Sequence, residues 1–155
     1  MKIRVVRGSA VAPTKMASYD AALADANIHN YNLVHVSSVI PADATVEFVD
    51  TAPDLGPVGH SLTVVEARAT SAAQPVSAAL AWAESEEGPG LFYEAAGEES
   101  AERTRERVEA GLEAGQCLRE WSFLDHEVAT ARAEPENGFA TAVVLAIYGR
   151  GRPVW

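Results

Sequence analysis

Few residues of this chain have types and spacings that could do chemistry. Ser37 and Ser38 close the run Asn30-Tyr31-Asn32-Leu33-Val34-His35-Val36-Ser37-Ser38-Val39-Ile40-Pro41, where apolar residues alternate up to the pair and a proline follows. A serine hydroxyl held at a strand end can attack the carbonyl of the peptide bond before it. If Ser38 did so, the chain would cut itself, and the new N-terminus could become a pyruvoyl group, a covalent electrophile. Serine pairs are common, so the pair alone does not decide. Asp20, Asn32 and Glu94 are the other candidates. Glu94 follows Leu91-Phe92-Tyr93, and a glutamate in apolar surroundings has its pKa raised by desolvation, as a general acid near neutral pH requires. Each also has a plainer reading: Asp20 as a solvent-facing helix residue, Asn32 as a hydrogen-bonded strand end, Glu94 as an outward residue at a strand end.

Several common sites are absent. There is no Gly-x-Gly-x-x-Gly and no Gly-Lys-Ser/Thr phosphate loop. His29, His35, His60 and His126 lack metal-ligand spacing and read as surface or structural histidines. Cys117 has no Cys-x-x-Cys partner, and one cysteine excludes an internal disulfide. A pyridoxal enzyme needs a lysine, but the lysines are Lys2, near the terminus, and Lys15, in a Pro-Thr-Lys-Met turn. An enzyme of this composition that handled amines through an imine would need a carbonyl from elsewhere.

The 155 residues predict a single domain, 1–155, able to bury a sizeable core. The 48% hydrophobic and 22% charged content is that of a globular protein. No apolar run reaches the length of a membrane span, and the N-terminus reads as a strand, so a cytoplasmic protein is expected. The net charge of −10, from 22 acidic and 12 basic side chains, opposes nucleic-acid binding. The acid-rich, lysine-poor composition resembles proteins of salt-loving archaea, where strong salt screens self-repulsion; an ordinary acidic cytosolic protein is the other reading.

The elements that must position these residues follow from periodicity. Strands are predicted over 2–7, 31–37, 59–69 and 91–95, and a helix over 17–26 with Asn27 as its stop. Residues 41–57 read as a long surface connection. Residues 75–85 read as a short helix with Pro75 at its start, and 98–119 as a longer one with a charged solvated face. Strands over 122–133 and 138–148 should form a hairpin through Asn137-Gly138. The mixture favours an α+β layered sandwich over a parallel doubly wound fold.

At the candidate residues the sequence resembles the pyruvoyl-dependent arginine decarboxylases. The matching pieces are Ser18-Tyr19-Asp20-Ala21-Ala22-Leu23, Ala26-Asn27-Ile28-His29-Asn30-Tyr31-Asn32-Leu33 and Val36-Ser37-Ser38-Val39-Ile40-Pro41. Further on come Val76-Ser77-Ala78-Ala79, Gly90-Leu91-Phe92-Tyr93-Glu94 and the closing helix with Gly115 and Trp121. The resemblance runs from about residue 5 to residue 148, and the serine pair with its upstream Asn-x-Asn-Leu is its most specific part.

The resemblance implies a layered αββα sandwich, self-cleaved between Ser37 and Ser38 into a β chain, 1–37, and an α chain, 38–155. Ser38 would become a pyruvoyl group, and Asn32 would assist processing or orient the substrate. The α-amine of arginine would condense with the ketone, carbon dioxide would leave, and the product would be agmatine. Glu94 would be the proton donor, and Asp20 would hold the guanidinium through two parallel hydrogen bonds. Homotrimers, or hexamers built from them, would carry active sites between neighbouring protomers. The same chemistry on another amino acid, or an unprocessed non-catalytic relative, are the alternatives. The chain departs from the family pattern at His29, where glycine is expected, at Ala95-Ala96 after Glu94, and in an additional tail, Gly149 to Trp155.

Overall fold

Strands that are apolar on both sides have to be covered on both sides, and the two longest buried runs set the architecture. The computed structural model describes all 155 residues. The elements in chain order are β1 (Lys2–Ala12), α1 (Lys15–Asp25), β2 (Asn32–His35), β3 (Val39–Ile40), β4 (Thr45–Asp50), β5 (Ser61–Ser71), β6 (Val76–Glu84), β7 (Gly90–Gly97), α2 (Ala101–Gln116), β8 (Glu127–Ala133) and β9 (Phe139–Arg152). They form a five-stranded sheet, β2-β5-β9-β1-β4, and a four-stranded sheet, β3-β7-β6-β8. The sheets stack face to face, α1 covers the outer face of the first and α2 that of the second. This is the expected αββα sandwich.

Period two assigns each residue to a layer. In β9, Ala140, Ala142, Val144 and Ala146 enter the core between the sheets, while Val143, Leu145 and Ile147 face α1. In β6, Val76, Ala78, Leu80 and Trp82 face the inter-sheet core, and Ala79, Ala81 and Ala83 face α2. At Gly8 the helix α1 lies so close to β1 that any side chain would run into the Ala22 carbonyl. Thr14 caps α1 by accepting the Ala17 N–H at 3.1 Å, and Ser100 caps α2 by accepting the Arg103 N–H at 3.1 Å. Asn27 adopts φ 62° and ends the first helix, as expected.

Three expectations are overturned. Residues 75–85 are not a helix: Val76–Glu84 is a central strand, paired on both sides. Its alanines suggested helix propensity, but burial on both faces decides, and small side chains let α2 lie close. Residues 41–57 are not all connection, because Thr45–Asp50 pairs in parallel with β1 as an edge strand. The prolines and glycine on either side hid the run Val46-Glu47-Phe48-Val49, which carries strand-forming residues. The strands around Asn137-Gly138 do not form a hairpin. β8 pairs with β6, while β9 pairs with β1 and β5 in the other sheet. Their alanines meet across the inter-sheet core instead of sharing a ladder, and Asn137, at φ 56°, turns the chain from one layer to the other. The antiparallel hairpin that does form joins β6 to β7. No helix is long and apolar enough to cross a membrane.

Candidate active site

β2 and β3 are edge strands of different sheets, so residues 36–38 cross from one sheet to the other. Each side of that crossing is tied down. The Val36 N–H donates to the Val64 carbonyl at 3.0 Å, and the Phe92 N–H donates to the Ser38 carbonyl at 2.7 Å. The Tyr148 hydroxyl adds a 2.8 Å bond to the Val39 carbonyl. Burial pushes its pKa up to about 12, so it stays a protonated donor. Ser37, between the anchors, is exposed and makes no hydrogen bond. The peptide joining the two serines is therefore the slack link between two fixed points.

Ser38 is half-buried, and its Oγ donates to Glu94 Oε2 at 3.3 Å. Glu94 lies on β7, whose outer edge is paired with β3 only at Gly90 and Leu91. Beyond that point no strand covers β7, and Glu94 is exposed. The apolar enclosure expected around Glu94 is therefore not found in this chain. The alternation of β7 explains this: Leu91 and Tyr93 point to α2, while Glu94 falls on the other side at the open edge.

Asp20 and Asn32 are brought together elsewhere. Both line a groove of about 500 Å³ between α1 and the start of β2, with Met16, Tyr19, Leu23, His29 and Leu33 among its walls. Asp20 is exposed on the helix. Asn32 is fixed by its Nδ2, which donates to the Gly59 carbonyl at 2.8 Å, and by its backbone N–H, which donates to the His60 carbonyl at 2.9 Å. Ser38 and Glu94 do not line this groove. The candidate residues thus form two pairs, Ser38 with Glu94 and Asp20 with Asn32. His29, which departs from the expected glycine, stands in the groove with Asp20.

Reading the sequence did not single out Glu66. Its side chain is 3% exposed, its Oε1 meets His35 Nε2 at 2.8 Å, and its Oε2 accepts the Tyr19 hydroxyl at 2.8 Å. The Arg68 guanidinium sits 4.5 Å over the Tyr19 ring. Burial, then the bond to Glu66, push the Tyr19 hydroxyl far above its usual pKa, so it remains a donor. The available signal was a carboxylate in the row Leu62, Val64, Glu66, whose first two members face the helix-side core.

Residues 2–153 match the family described as Pyruvoyl-dependent arginine decarboxylase. A pyruvoyl-dependent arginine decarboxylase of Halobacterium salinarum is 56% identical over 156 residues, covering 99% of this chain and 98% of the relative. Enzymes with the same name from Pyrococcus abyssi, 35% identical over 150 residues, and Methanopyrus kandleri, 33% identical over 146 residues, each cover 94% of this chain, and 93% and 94% of their own length respectively. With the serine pair slung between two sheets, a carboxylate on its hydroxyl and likeness along nearly the whole chain, this protein belongs to the pyruvoyl-dependent arginine decarboxylase family.

Proposed function

We propose that this chain cleaves itself between Ser37 and Ser38 and then decarboxylates arginine to agmatine. The observation that carries the reading is the doubly anchored, otherwise unbonded link at Ser37, with Ser38 Oγ 3.3 Å from Glu94. In the processing step Ser38 Oγ attacks the Ser37 carbonyl carbon, the peptide C–N bond breaks, and an ester forms as the nitrogen takes up the hydroxyl proton. Loss of the Ser38 α-proton expels the Ser37 carboxylate and severs the covalent link to residues 1–37. The dehydroalanine left at position 38 takes up water and releases ammonia, leaving a pyruvoyl group.

The site fits that group. After the cut, residue 38 stays held through its carbonyl by the Phe92 N–H, and residue 36 through its N–H by Val64. Bound there, a pyruvoyl ketone supplies the amine-capturing electrophile and electron sink that the side chains lack. Asp20 binds the guanidinium head, and its two oxygens suit a planar fork better than an ammonium. Asn32 is held rigid enough to orient the substrate. Glu94 gives the proton to the α-carbon once carbon dioxide has left.

The separation of the two residue pairs supports an assembly in which each active site is shared. A homotrimer, or a hexamer built from trimers, would set the Asp20 groove of one protomer against the Ser38 edge of the next and cover Glu94. The exposed apolar residues Val34, Val36 and Val39 flank the serine pair and suit burial against a neighbour.

Intact mass spectrometry under denaturing conditions tests the processing. The expected result is two chains, 1–37 and 38–155, the second one ammonia lighter than a serine-started fragment. A single full-length chain after incubation in strong salt would sink the proposal. Turnover of arginine, ornithine, lysine and aspartate by the processed protein tests the substrate, with arginine expected to lead.

A further inference from the structure

β2 has four residues and a single neighbour, β5, to which it pairs in parallel. It is nevertheless the upstream mooring of the scissile bond. Attack by a hydroxyl on a carbonyl needs reacting atoms held about 3–3.5 Å apart and aligned. The Ser37 carbonyl can be no better placed than the end of β2.

That end is fastened by a side chain as well as by backbone. His35, the last residue of the strand, reaches Glu66 Oε1 at 2.8 Å. A carboxylate only accepts hydrogen bonds, so His35 must donate through its Nε2–H, which fixes both the tautomer and the ring orientation. Glu66 is a firm post: it is buried, and its other oxygen is taken by Tyr19. Tyr19 is in turn covered by Arg68 and precedes Asp20 on α1. Glu66 of β5 thus meets the His35 ring, with Tyr19 of α1 and Arg68 of β5 standing behind Glu66.

We infer that His35 and Glu66 form a positioning clamp for self-cleavage, holding the Ser37 carbonyl where Ser38 Oγ can reach it. The inference rests on the self-cleavage proposed for this chain. His35 is a positioning residue in this role, since it acts through the strand end and touches neither reacting atom.

The test follows the cleaved fraction over time for precursor made by cell-free synthesis in concentrated salt. Wild type, His35→Ala and His35→Gln are compared. Glutamine carries an amide N–H at the reach of the imidazole Nε2. A hydrogen bond to a buried carboxylate warrants about a tenfold slowing or more for His35→Ala, with His35→Gln restored to within about threefold of wild type. Melting curves of both substitutions in a Ser38→Ala background should match that of Ser38→Ala alone. Wild-type speed in His35→Ala, or a glutamine variant as slow as alanine, overturns the clamp. Slowing matched by an equal loss of melting temperature in both variants makes the contact merely structural and also overturns it. A wild-type chain that never cleaves overturns the self-cleavage itself, and the clamp with it.

Discussion

Ser38 meets Glu94 through a long hydrogen bond at an edge that solvent reaches. A carboxylate there can serve two stages, first as a partner of the hydroxyl and later as a proton source. Glu94→Gln keeps an acceptor for Ser38 but has no proton of suitable acidity. It should still yield two chains, while arginine turnover falls by about 100-fold or more and KM changes little. Unchanged turnover in a stopped carbon dioxide assay would remove Glu94 from the chemistry. Tyr148 makes a separate prediction from its own titration. Its folded pKa of about 12 lies above the ordinary 10.0, so between those values the unfolded chain loses the proton first. Stability must therefore fall as pH rises from about 10 through 12. Tyr148→Phe should make that alkaline limb shallower in melting curves recorded across pH, with the raised Tyr19 hydroxyl supplying the part that remains.

At the scale of elements, α1 owes its position to Gly8, because the helix backbone occupies the space where a side chain would stand. Gly8→Ala should push α1 off the sheet at a cost of about 1–3 kcal/mol. Since α1 carries Asp20, the KM for arginine should rise with the loss of melting temperature. A normal KM in a destabilised variant would separate the two effects. The Asn27 helix stop, the strand before the serine pair and the long charged helix were legible because local chemistry decides them. Residues 76–84 were not, because an alanine-rich strand buried on both faces lacks the alternation that would declare it. The Asn137-Gly138 turn was seen, but its consequence was misjudged, since a turn fixes chain reversal and not which sheet receives the next strand. Asp20, Asn32, Ser38 and Glu94 were legible as candidates through family likeness. Their division into two pairs was not, because it depends on where the sheets end.

For the molecule as a whole, 22 acidic against 12 basic side chains on 155 residues make salt a structural variable. The melting temperature should climb steeply between about 0.1 and 1 M KCl, as the screening length falls from ~10 Å to ~3 Å. A flat curve would show that ion pairs such as Lys2–Glu47 and Arg7–Asp50 already balance the surface.

The central place of β1 bears on the lifetime of the processed protein. Residues 1–37 carry β1, α1 and β2, and β1 lies between β4 and β9, both contributed by the downstream piece. The proposed cut at Ser37 would therefore release nothing while the fold is intact: the short chain would stay threaded into the sheet of the long one. Once melted, the halves must find each other again, and refolding becomes a bimolecular reaction that slows on dilution. The uncut Ser38→Ala chain would keep both halves on one tether, so the step that joins them should not slow on dilution. Such a maturation would make the persistence of the assembly depend on the rate at which it first comes apart.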